Sequence, residues 1–339
     1  MSTKKLGVAI LGCGKAGRYH AYWYSKNSHC RLVGFYNRTP LKTKELASRY
    51  VAKVYENWEE LVTESSVDVV SLCTPAFQHA EQAIFSFDNK KHVLCEKPMA
   101  GDLEECNEMI EASKKSGKLL GLVFNMRLNP VILSVNNNIE RIGRIFSVDL
   151  SFPFNRKTLN WRGESGSRTG VLMENGTHAV DLAITWLGDV ERVSAEVSRY
   201  KERSTCDDHV FAICRFKNGA IGKFYTSYND PSFYDEQIEG LFGQIVGENG
   251  KICFLLNSYN PNINRAFIIL NGEKQELKID RSTQNDEVYP GHMDSFKRLI
   301  DGFIDCVIDN RQFSPSGEDG MKTIKFVEDA FESSGWNRQ

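Results

Sequence analysis

The sequence has neither a strong charge imbalance nor a long apolar run. Lys and Arg number 42 and Asp and Glu number 44, which gives a formal net charge of −2. A nearly neutral chain offers no electrostatic footprint for nucleic acid or for an anionic membrane. No apolar run is long enough to cross a bilayer, and no signal peptide is recognisable. We therefore expect neither a nucleic-acid partner nor a membrane partner.

Paired cysteines are also missing. The nine cysteines are scattered and form no C-x-x-C pair. Some of them lie in apolar runs, where a thiol behaves as a small hydrophobic group: Cys73, Cys95, Cys214 and Cys253. This usage indicates a reducing compartment, so we expect a cytoplasmic protein. Because no cluster of zinc ligands is present, we also expect no bound metal.

What is present is the composition of an ordinary globular protein. The chain has 339 residues, of which 41% are hydrophobic and 25% are charged. This length suggests two domains, each large enough to bury its own core.

A glycine-rich turn lies close to the N-terminus. The apolar run 8–11 predicts a buried strand, and a helix-like segment follows the turn. In a strand–turn–helix unit, Gly12 permits the tight turn, Gly14 lets the backbone approach a pyrophosphate, and Gly17 lets the helix pack close to the strand. The start of the helix then offers free N–H groups to phosphates. The predicted cofactor-binding residues of this turn are Gly12, Gly14, Lys15, Ala16 and Gly17.

Strand-like runs alternate with helix-length segments through the first third of the chain. The runs cover residues 8–11, 32–36, 67–72, 92–95 and 119–124. This alternation predicts right-handed β-α-β units and a doubly wound parallel sheet of the Rossmann type. A ligand then lies at the carboxyl ends of the strands, so the residues just after each run are candidates for binding.

The segment after the second run bears on the choice of cofactor. Asn37 lies twenty residues after Gly17, where an acid would ordinarily bind the adenosine ribose of NAD. Asn37, Arg38 and Thr39 are instead suited to a 2′-phosphate, with Arg38 pairing with the phosphate or stacking on the adenine. We expect NAD or NADP and lean slightly to NADP. The alternative is a solvated turn before a helix.

Two further loops carry candidate residues. Cys73, Thr74 and Pro75 follow the third run, and His79 opens the next helix as a capping or positioning residue. Glu96 and Lys97 follow the fourth run, directly before a proline. A lysine at this edge of a dinucleotide-binding sheet points to where a nicotinamide would lie, although an isolated lysine of this kind is usually a surface residue.

The pattern changes after residue 124. Strand-like runs cover residues 145–152, 190–197, 210–216, 220–228, 240–246 and 251–256. The pairs Asn218-Gly219 and Asn249-Gly250 are strong hairpin signals. Two helices are predicted near 293–308 and 319–333, the second capped by Ser316 with Asp319. We therefore predict an α/β protein with a Rossmann domain at 1–124. The predicted second domain, at 125–339, is an α+β domain with a large, mostly antiparallel, open-faced sheet, and the last helix is free to pack back on the first domain.

One helix interrupts this sheet region, at residues 170–187. Glu174, His178 and Asp181 are separated by four and then three residues, so they share one face of the helix. A polar stripe is usually a solvated face. A histidine between two carboxylates is different, because they orient it and raise its basicity.

The whole pattern resembles the Gfo/Idh/MocA family, named for glucose–fructose oxidoreductase, inositol dehydrogenase and a rhizopine-catabolism protein. The resemblance covers essentially the full chain. It rests on G-x-G-x-x-G-x-x-H ending at His20, Thr74-Pro75 with His79, Glu96-Lys97-Pro98, His178 with Asp181 before Trp186-Leu187-Gly188, and Gly317-Glu318-Asp319-Gly320.

The resemblance implies an NAD(P)-dependent dehydrogenase or reductase acting on CH–OH groups of a sugar, cyclitol or related polyol. By position, Lys97 matches the family's catalytic lysine and His178 its catalytic histidine. We expect His178 to act as general acid/base while Lys97 stabilises the alkoxide. Glu174 stands where many members have aspartate, so it either contacts the substrate or only orients His178.

Further polar residues are candidates for substrate recognition. Besides Lys97 and His178, they are Arg127, Trp161, Arg162 and Asp181. The segment from Asn160 to Arg162 is equally suited to packing into a neighbouring subunit. The open sheet face is a natural interface, and the resemblance implies a homodimer or homotetramer formed through it.

Two other functions are compatible with the same fold. One is a redox-neutral, NAD-dependent glycosidase or lyase, in which the cofactor oxidises the sugar transiently and then returns the hydride. The other is a non-catalytic, cofactor-dependent sensor. The retained acid–base pair, Lys97 and His178, argues against the sensor.

Overall fold

The chain folds into two compact units. The computed structural model describes residues 5–156, 169–201, 205–230, 240–257, 260–280 and 293–336. The first unit consists of residues 1–124 and 296–321, and the second of residues 125–295 and 322–339. Residues 296–321 are therefore part of the first unit, although they follow the second sheet in the chain.

The first unit contains a six-stranded parallel sheet flanked by helices. The strands are β1 (Leu6–Leu11), β2 (Cys30–Tyr36), β3 (Lys53–Tyr55), β4 (Val69–Leu72), β5 (His92–Cys95) and β6 (Leu120–Leu122). The helices are α1 (Lys15–Lys26), α2 (Pro40–Tyr50), α3 (Trp58–Thr63), α4 (His79–Asp88) and α5 (Leu103–Ser116). The strand order β3-β2-β1-β4-β5-β6 reverses direction at β1, as in a doubly wound sheet.

The central strands form because they are apolar on both faces. Every residue of β4 is buried, and so is all of β1 after Leu6. Such continuous apolar runs suit a parallel sheet that is covered by helices on both sides. The parallel Rossmann sheet expected from the sequence is confirmed, and the short β3 is an addition to it.

The second unit contains an eight-stranded sheet. Its strands are β7 (Ile145–Pro153), β8 (Val190–Ser198), β9 (His209–Phe216), β10 (Ile221–Ser227), β11 (Gly240–Gly247), β12 (Gly250–Asn257), β13 (Arg265–Leu270) and β14 (Glu273–Glu276). The order is β14-β13-β12-β11-β7-β10-β9-β8, and all pairs are antiparallel except β7 with β10. The mostly antiparallel sheet is confirmed, including the hairpins β9–β10 and β11–β12.

The remaining helices are α6 (Pro130–Asn136), α7 (Thr177–Leu187), α8 (Met293–Ile308) and α9 (Gly317–Ser334). The last helix begins with the predicted cap, in which Ser316 N donates to Asp319 Oδ2 over 2.9 Å and Asp319 N donates to Ser316 Oγ over 3.4 Å. Among the residues that the structure describes, no helix is both long and apolar enough to span a membrane.

Candidate active site

The turn after β1 has the close packing that its glycines predict. Gly12 has φ of +97°, and a Cβ on it would lie 2.3 Å from the carbonyl oxygen of Cys73. A Cβ on Gly17 would lie 1.9 Å from the carbonyl oxygen of Gly12. Neither position has room for a side chain, so both glycines are required for the turn, the end of β4 and helix α1 to pack together.

Gly14 differs from its two neighbours. A Cβ on Gly14 would meet no heavy atom of the described residues within 4 Å, so the space beside it is open. Gly14 is the N-cap of α1 and has no side chain with which to cap it. Lys15 and Ala16 follow in the first turn, where backbone N–H groups have no partner within a helix. Open space beside the backbone N–H groups of a helix N-terminus suits a pyrophosphate. Gly14, Lys15 and Ala16 therefore fit the binding of a dinucleotide.

Asn37 braces this turn from the end of β2. Its Oδ1 accepts a hydrogen bond from Cys13 N over 3.0 Å, and its Nδ2 donates to the carbonyl oxygen of Thr39 over 3.1 Å. An aspartate here would make the first contact but not the second. Arg38 and Thr39 are exposed, so the arginine considered for a 2′-phosphate stands at the surface beside the glycine turn.

The loop after β4 is held by internal hydrogen bonds. Thr74 Oγ1 donates to Gln82 Oε1 over 2.7 Å, and Pro75 precedes a single 3-10 turn, Ala76–Gln78. Burial raises the pKa of the Cys73 thiol well above its usual value. Cys73 is therefore protonated at neutral pH and acts as a packing residue rather than as a nucleophile.

His79 links two of the candidate loops. Its ring is buried, with Nε2 at 2.9 Å from the carbonyl oxygen of Thr74 and Nδ1 at 3.0 Å from that of Pro98. Burial lowers the pKa of His79. A neutral imidazole donates from one nitrogen only, so one of the two carbonyl contacts is an N–H hydrogen bond. His79 thus connects the loop after β4 to the loop after β5, which is the geometry of a positioning residue.

Glu96 and Lys97 are the first two residues after β5. Lys97 is half-exposed, whereas Glu96 is buried. The backbone N–H of Lys97 donates to Glu96 Oε2 over 3.2 Å. The lysine therefore stands at the carboxyl edge of the parallel sheet, the edge at which Rossmann folds bind their ligands.

In the second unit, the predicted helix begins with a π-helical turn. The turn covers Leu172–Gly176 and continues as α7, which ends at Gly188 with φ of +81°. A Cβ on Gly176 would lie 2.7 Å from Leu172 Cδ1, so this glycine makes room for packing within the protein. π-Helical turns of this kind occur frequently at functional sites.

The polar stripe on this helix is not a solvated face. The exposed fractions of Glu174, His178 and Asp181 are 6%, 7% and 1%. Burying two carboxylates and an imidazole is costly unless each has polar partners. The stripe is therefore better explained by a site than by a surface.

Asp181 is paired with Arg127. Arg127 Nε donates to Asp181 Oδ2 over 2.8 Å, and Arg127 Nη2 donates to the other carboxylate oxygen. The two side chains are 13% and 2% exposed, so the structure joins two predicted substrate residues in a buried bidentate pair. The other two predicted substrate residues, Trp161 and Arg162, lie outside the described residues together with Asn160.

Glu174 has a partner that the sequence analysis did not find. The hydroxyl of Tyr228 donates to Glu174 Oε2 over 3.0 Å in a buried contact. The Arg156 guanidinium lies 5.1 Å from the centre of the Tyr228 ring. No local pattern identifies Tyr228, because the contact joins residues 54 apart in the chain.

Asp207 holds the start of the same helix and was also missed. Its Oδ2 accepts from Leu172 N over 2.8 Å, and its carbonyl oxygen accepts from Val171 N over 3.0 Å. Asp207 is 2% exposed, and a Cβ on Gly170 would lie 1.7 Å from its Oδ1. A carboxylate at a helix N-terminus satisfies free N–H groups and complements the helix dipole.

Comparison with protein families matches both halves of the chain. Residues 6–124 match the oxidoreductase family model described as an NAD-binding Rossmann fold, and residues 137–338 match that family's C-terminal alpha/beta domain. The chain belongs to the Gfo/Idh/MocA oxidoreductase family. The predicted family, fold class and enzyme class are thereby confirmed, and the first domain is NAD-binding.

Similar proteins carry related activities in their names. The chain is 27% identical to glucose-6-phosphate 3-dehydrogenase of Bacillus subtilis over 353 residues, which covers 97% of this chain and 96% of that protein. It is 27% identical to myo-inositol 2-dehydrogenase of Thermotoga maritima over 331 residues, covering 94% and 92%. Among solved structures, levoglucosan dehydrogenase in complex with NADH and levoglucosan has a TM-score of 0.87 at 22% identity, covering 98% of both chains.

Proposed function

We propose that this protein is an NAD(P)-dependent dehydrogenase or reductase. Its substrate is a secondary alcohol, or the matching ketone, of a sugar, cyclitol or related polyol. The observation that carries the proposal is the buried stripe of Glu174, His178 and Asp181 in a chain of an oxidoreductase family. Relatives named for glucose 6-phosphate and myo-inositol support the substrate class.

The residues of this chain have distinct roles in the proposed reaction. When bound, the nicotinamide supplies the hydride chemistry. His178 takes the proton from the hydroxyl during oxidation and returns it during reduction. Lys97 donates a hydrogen bond to the oxygen and stabilises negative charge as it develops. Glu174, fixed by Tyr228, orients His178.

The Arg127–Asp181 pair suits a polyol. Its two charges offset each other, and its guanidinium donates hydrogen bonds while its carboxylate accepts them. Hydroxyl groups both donate and accept, so they match such a pair. Each buried polar group left unmatched by the substrate would cost about 1–3 kcal/mol.

The cofactor is NAD or NADP, and we propose a slight preference for NADP. The exposed Arg38 beside the glycine turn supports binding of the 2′-phosphate of NADP. Position 37 supports it too, because it holds an asparagine in place of an acidic residue. We also propose a cytoplasmic location, since all nine cysteines are free thiols.

An absorbance assay tests the proposed activity. Purified protein is incubated with NAD or NADP and a panel of cyclitols, aldoses and glycosides, and reduced nicotinamide is followed at ~340 nm. Steady growth with one substrate is expected, and the faster cofactor decides between NAD and NADP. No growth with any substrate, and no cofactor oxidation with ketoses or keto-sugars, would contradict the proposal.

We further propose that the protein forms a homodimer or homotetramer through the open face of the second sheet. Phe211 and Ile213 on β9 are 46% and 57% exposed, and Ile221 on β10 is 41% exposed. Tyr225 stacks on Phe211 with ring centres 4.5 Å apart. These residues alternate with buried ones along β9 and β10, so they share one face of the sheet. Exposed apolar patches of this kind typically mark interaction surfaces.

Light scattering tests this interface. At micromolar concentration we expect the mass of a dimer or tetramer for the wild type and a monomer for Ile213→Asp, because a charge would be buried without a partner. Ile308→Asp, the same change at a 47% exposed position on α8 in the first unit, serves as the matched control and should leave the mass unchanged. A monomeric wild type would refute the proposal.

A further inference from the structure

His20 is a buried histidine to which the proposed mechanism gives no role. It lies on α1, three residues after Gly17, and its side chain is 0% exposed. Its Nδ1 lies 2.6 Å from Ser71 Oγ on β4, and its Nε2 lies 3.2 Å from Glu96 Oε1 just after β5. The imidazole thus joins a helix to the ends of two neighbouring strands.

The partners of His20 set the direction of its two hydrogen bonds. A carboxylate oxygen only accepts hydrogen bonds, so the proton must be on Nε2, from which it is donated to Glu96. In the neutral ring, Nδ1 then accepts from the Ser71 hydroxyl. The Phe296 ring packs edge-on against the His20 ring, with 5.8 Å between the ring centres.

Both oxygens of Glu96 are engaged in this way. Oε1 contacts His20, and Oε2 accepts from the backbone N–H of Lys97 over 3.2 Å. The backbone N–H of Glu96 donates to the carbonyl oxygen of Leu72 over 2.9 Å. Both carboxylate oxygens of Glu96 are therefore fixed by hydrogen bonds. The same contacts fix the peptide plane between Glu96 and Lys97.

We propose that His20 is a positioning residue for Lys97. Through Glu96, it fixes the backbone from which the lysine side chain extends, so that the ammonium group is presented at the carboxyl edge of the sheet. The role rests on the proposed function of Lys97. The His79 contact with Pro98 holds the other side of the same residue, so Lys97 stands between two segments that are each anchored to a buried imidazole.

Two substitutions separate positioning from packing. His20→Gln can place an amide N–H near the position of Nε2 and preserve the donor to Glu96. His20→Asn can reach Ser71 but is too short to reach Glu96. Both remove the aromatic ring, so they lose similar packing. We expect kcat to fall by about 10- to 100-fold in His20→Asn and by only a few-fold in His20→Gln, with KM and cofactor affinity little changed.

A double substitution tests whether His20 acts through Glu96. If it does, His20→Asn combined with Glu96→Gln lowers kcat no further than the more damaging single change. If the kcat of the double variant instead falls by the product of the two single fold-losses, the two residues act independently and the proposal is overturned. Equal losses in His20→Asn and His20→Gln would also overturn it, since the ring alone would then matter.

A measurement without substrate keeps this proposal separate from the proposed function. Lysine acylation by acetic anhydride is followed by mass spectrometry, with the exposed Lys114 as internal reference. In His20→Asn the relative acylation rate of Lys97 should change several-fold, and in His20→Gln it should stay near the wild-type value. Absence of dehydrogenase activity in the wild type would refute the proposed function only. An unchanged Lys97 rate in His20→Asn would refute the positioning role.

Discussion

At the scale of single residues, the three glycines of the first turn have separable tasks. Gly12 and Gly17 are required by the fold, because a Cβ on either would overlap a backbone carbonyl. Gly14 borders open space, so the fold itself does not require a glycine there. In the proposed cofactor site, the close approach of a phosphate group to the backbone requires it.

Two alanine substitutions therefore give opposite results. Gly14→Ala should leave the free energy of unfolding near the wild-type value while weakening cofactor binding about tenfold or more, which corresponds to ~1.4 kcal/mol. Gly17→Ala should lower the free energy of unfolding by about 1–3 kcal/mol through overpacking. Urea unfolding and titration with reduced cofactor measure the two effects. A destabilised Gly14→Ala with unchanged cofactor affinity would contradict the assignment.

His92 gives the first unit a pH dependence with a definite sign. Burial, together with the nearby Lys118, lowers the pKa of His92 from 6.5 to about 4, and its Nδ1 accepts from Leu119 N over 3.2 Å. Between these two pH values the unfolded chain binds the proton and the folded chain does not. The stabilisation is therefore complete above pH 6.5 and is lost as the pH falls towards about 4.

His92→Asn tests this dependence. The variant should lose less stability than the wild type when the pH is lowered from neutrality to about 4.5, because Asn does not titrate in this range. The readout is the urea midpoint at both pH values. His29→Asn, at an exposed position, is the matched control and should follow the wild type. If the urea midpoints of His92→Asn and the wild type fall by the same amount between the two pH values, the pKa assignment is contradicted.

At the scale of elements, the segment Asp207-Asp208 connects the helix that carries Glu174 and His178 to the neighbouring sheet strand. Asp207 accepts from Leu172 N at the start of the helix, and the carbonyl oxygen of Asp208 accepts from Tyr228 N over 2.8 Å. Tyr228 in turn donates to Glu174. The position of Glu174 thus depends on two adjacent acidic residues that are far from it in the chain.

Removing the Asp207 carboxylate should loosen this arrangement. Asp207→Ala should lower the free energy of unfolding by about 1–3 kcal/mol, since the buried N–H of Leu172 loses its acceptor. It should also reduce kcat, whereas Asp207→Asn keeps an acceptor oxygen and should lose less. Asp189→Ala, which removes an exposed partner of Lys217 and Lys322, is the matched control with little expected effect. Equal losses in the Asp189 and Asp207 variants would refute the role.

Several helices and strands could be predicted from the local spacing of apolar residues. Residues 92–95 and 293–308 were predicted with the bounds that β5 and α8 have, because their apolar spacing is regular. Three strands were missed: β3 and β14 are short and largely exposed, whereas β13 (Arg265–Leu270) is an apolar run that the sequence analysis did not recognise. Helix α6 ends at Asn136, and a 3-10 turn, Ile139–Ile142, follows it.

The candidate site residues also differ in whether a local sequence pattern points to them. The glycine turn, Lys97 and His178 could be selected as candidates because each belongs to a motif at fixed spacing. Tyr228 and Asp207 were not, because their contacts with the helix join strands and loops distant in sequence. The bidentate contact between Arg127 and Asp181 was missed for the same reason, although both residues were predicted.

At the scale of the whole molecule, strand–helix alternation and then strand alternation were sufficient to predict two different sheets. Two family models match the chain separately, an NAD-binding Rossmann fold over residues 6–124 and a C-terminal alpha/beta domain over residues 137–338. The reaction proposed for the protein depends on residues of both, with Lys97 in the first unit and His178 in the second. The proposed hydride transfer therefore requires residues of both units.

Deuterium transfer tests this central claim most directly. A substrate found by the absorbance assay is prepared with deuterium on its carbinol carbons and incubated with oxidised cofactor, and the nicotinamide is analysed by mass spectrometry. The account predicts reduced cofactor carrying one deuterium, and a rate lower by about 10²-fold or more in Lys97→Met with cofactor binding retained. Substrate consumption without deuterated reduced cofactor would contradict it and indicate the redox-neutral reaction. A Lys97→Met variant with near-normal kcat would contradict the role of the lysine.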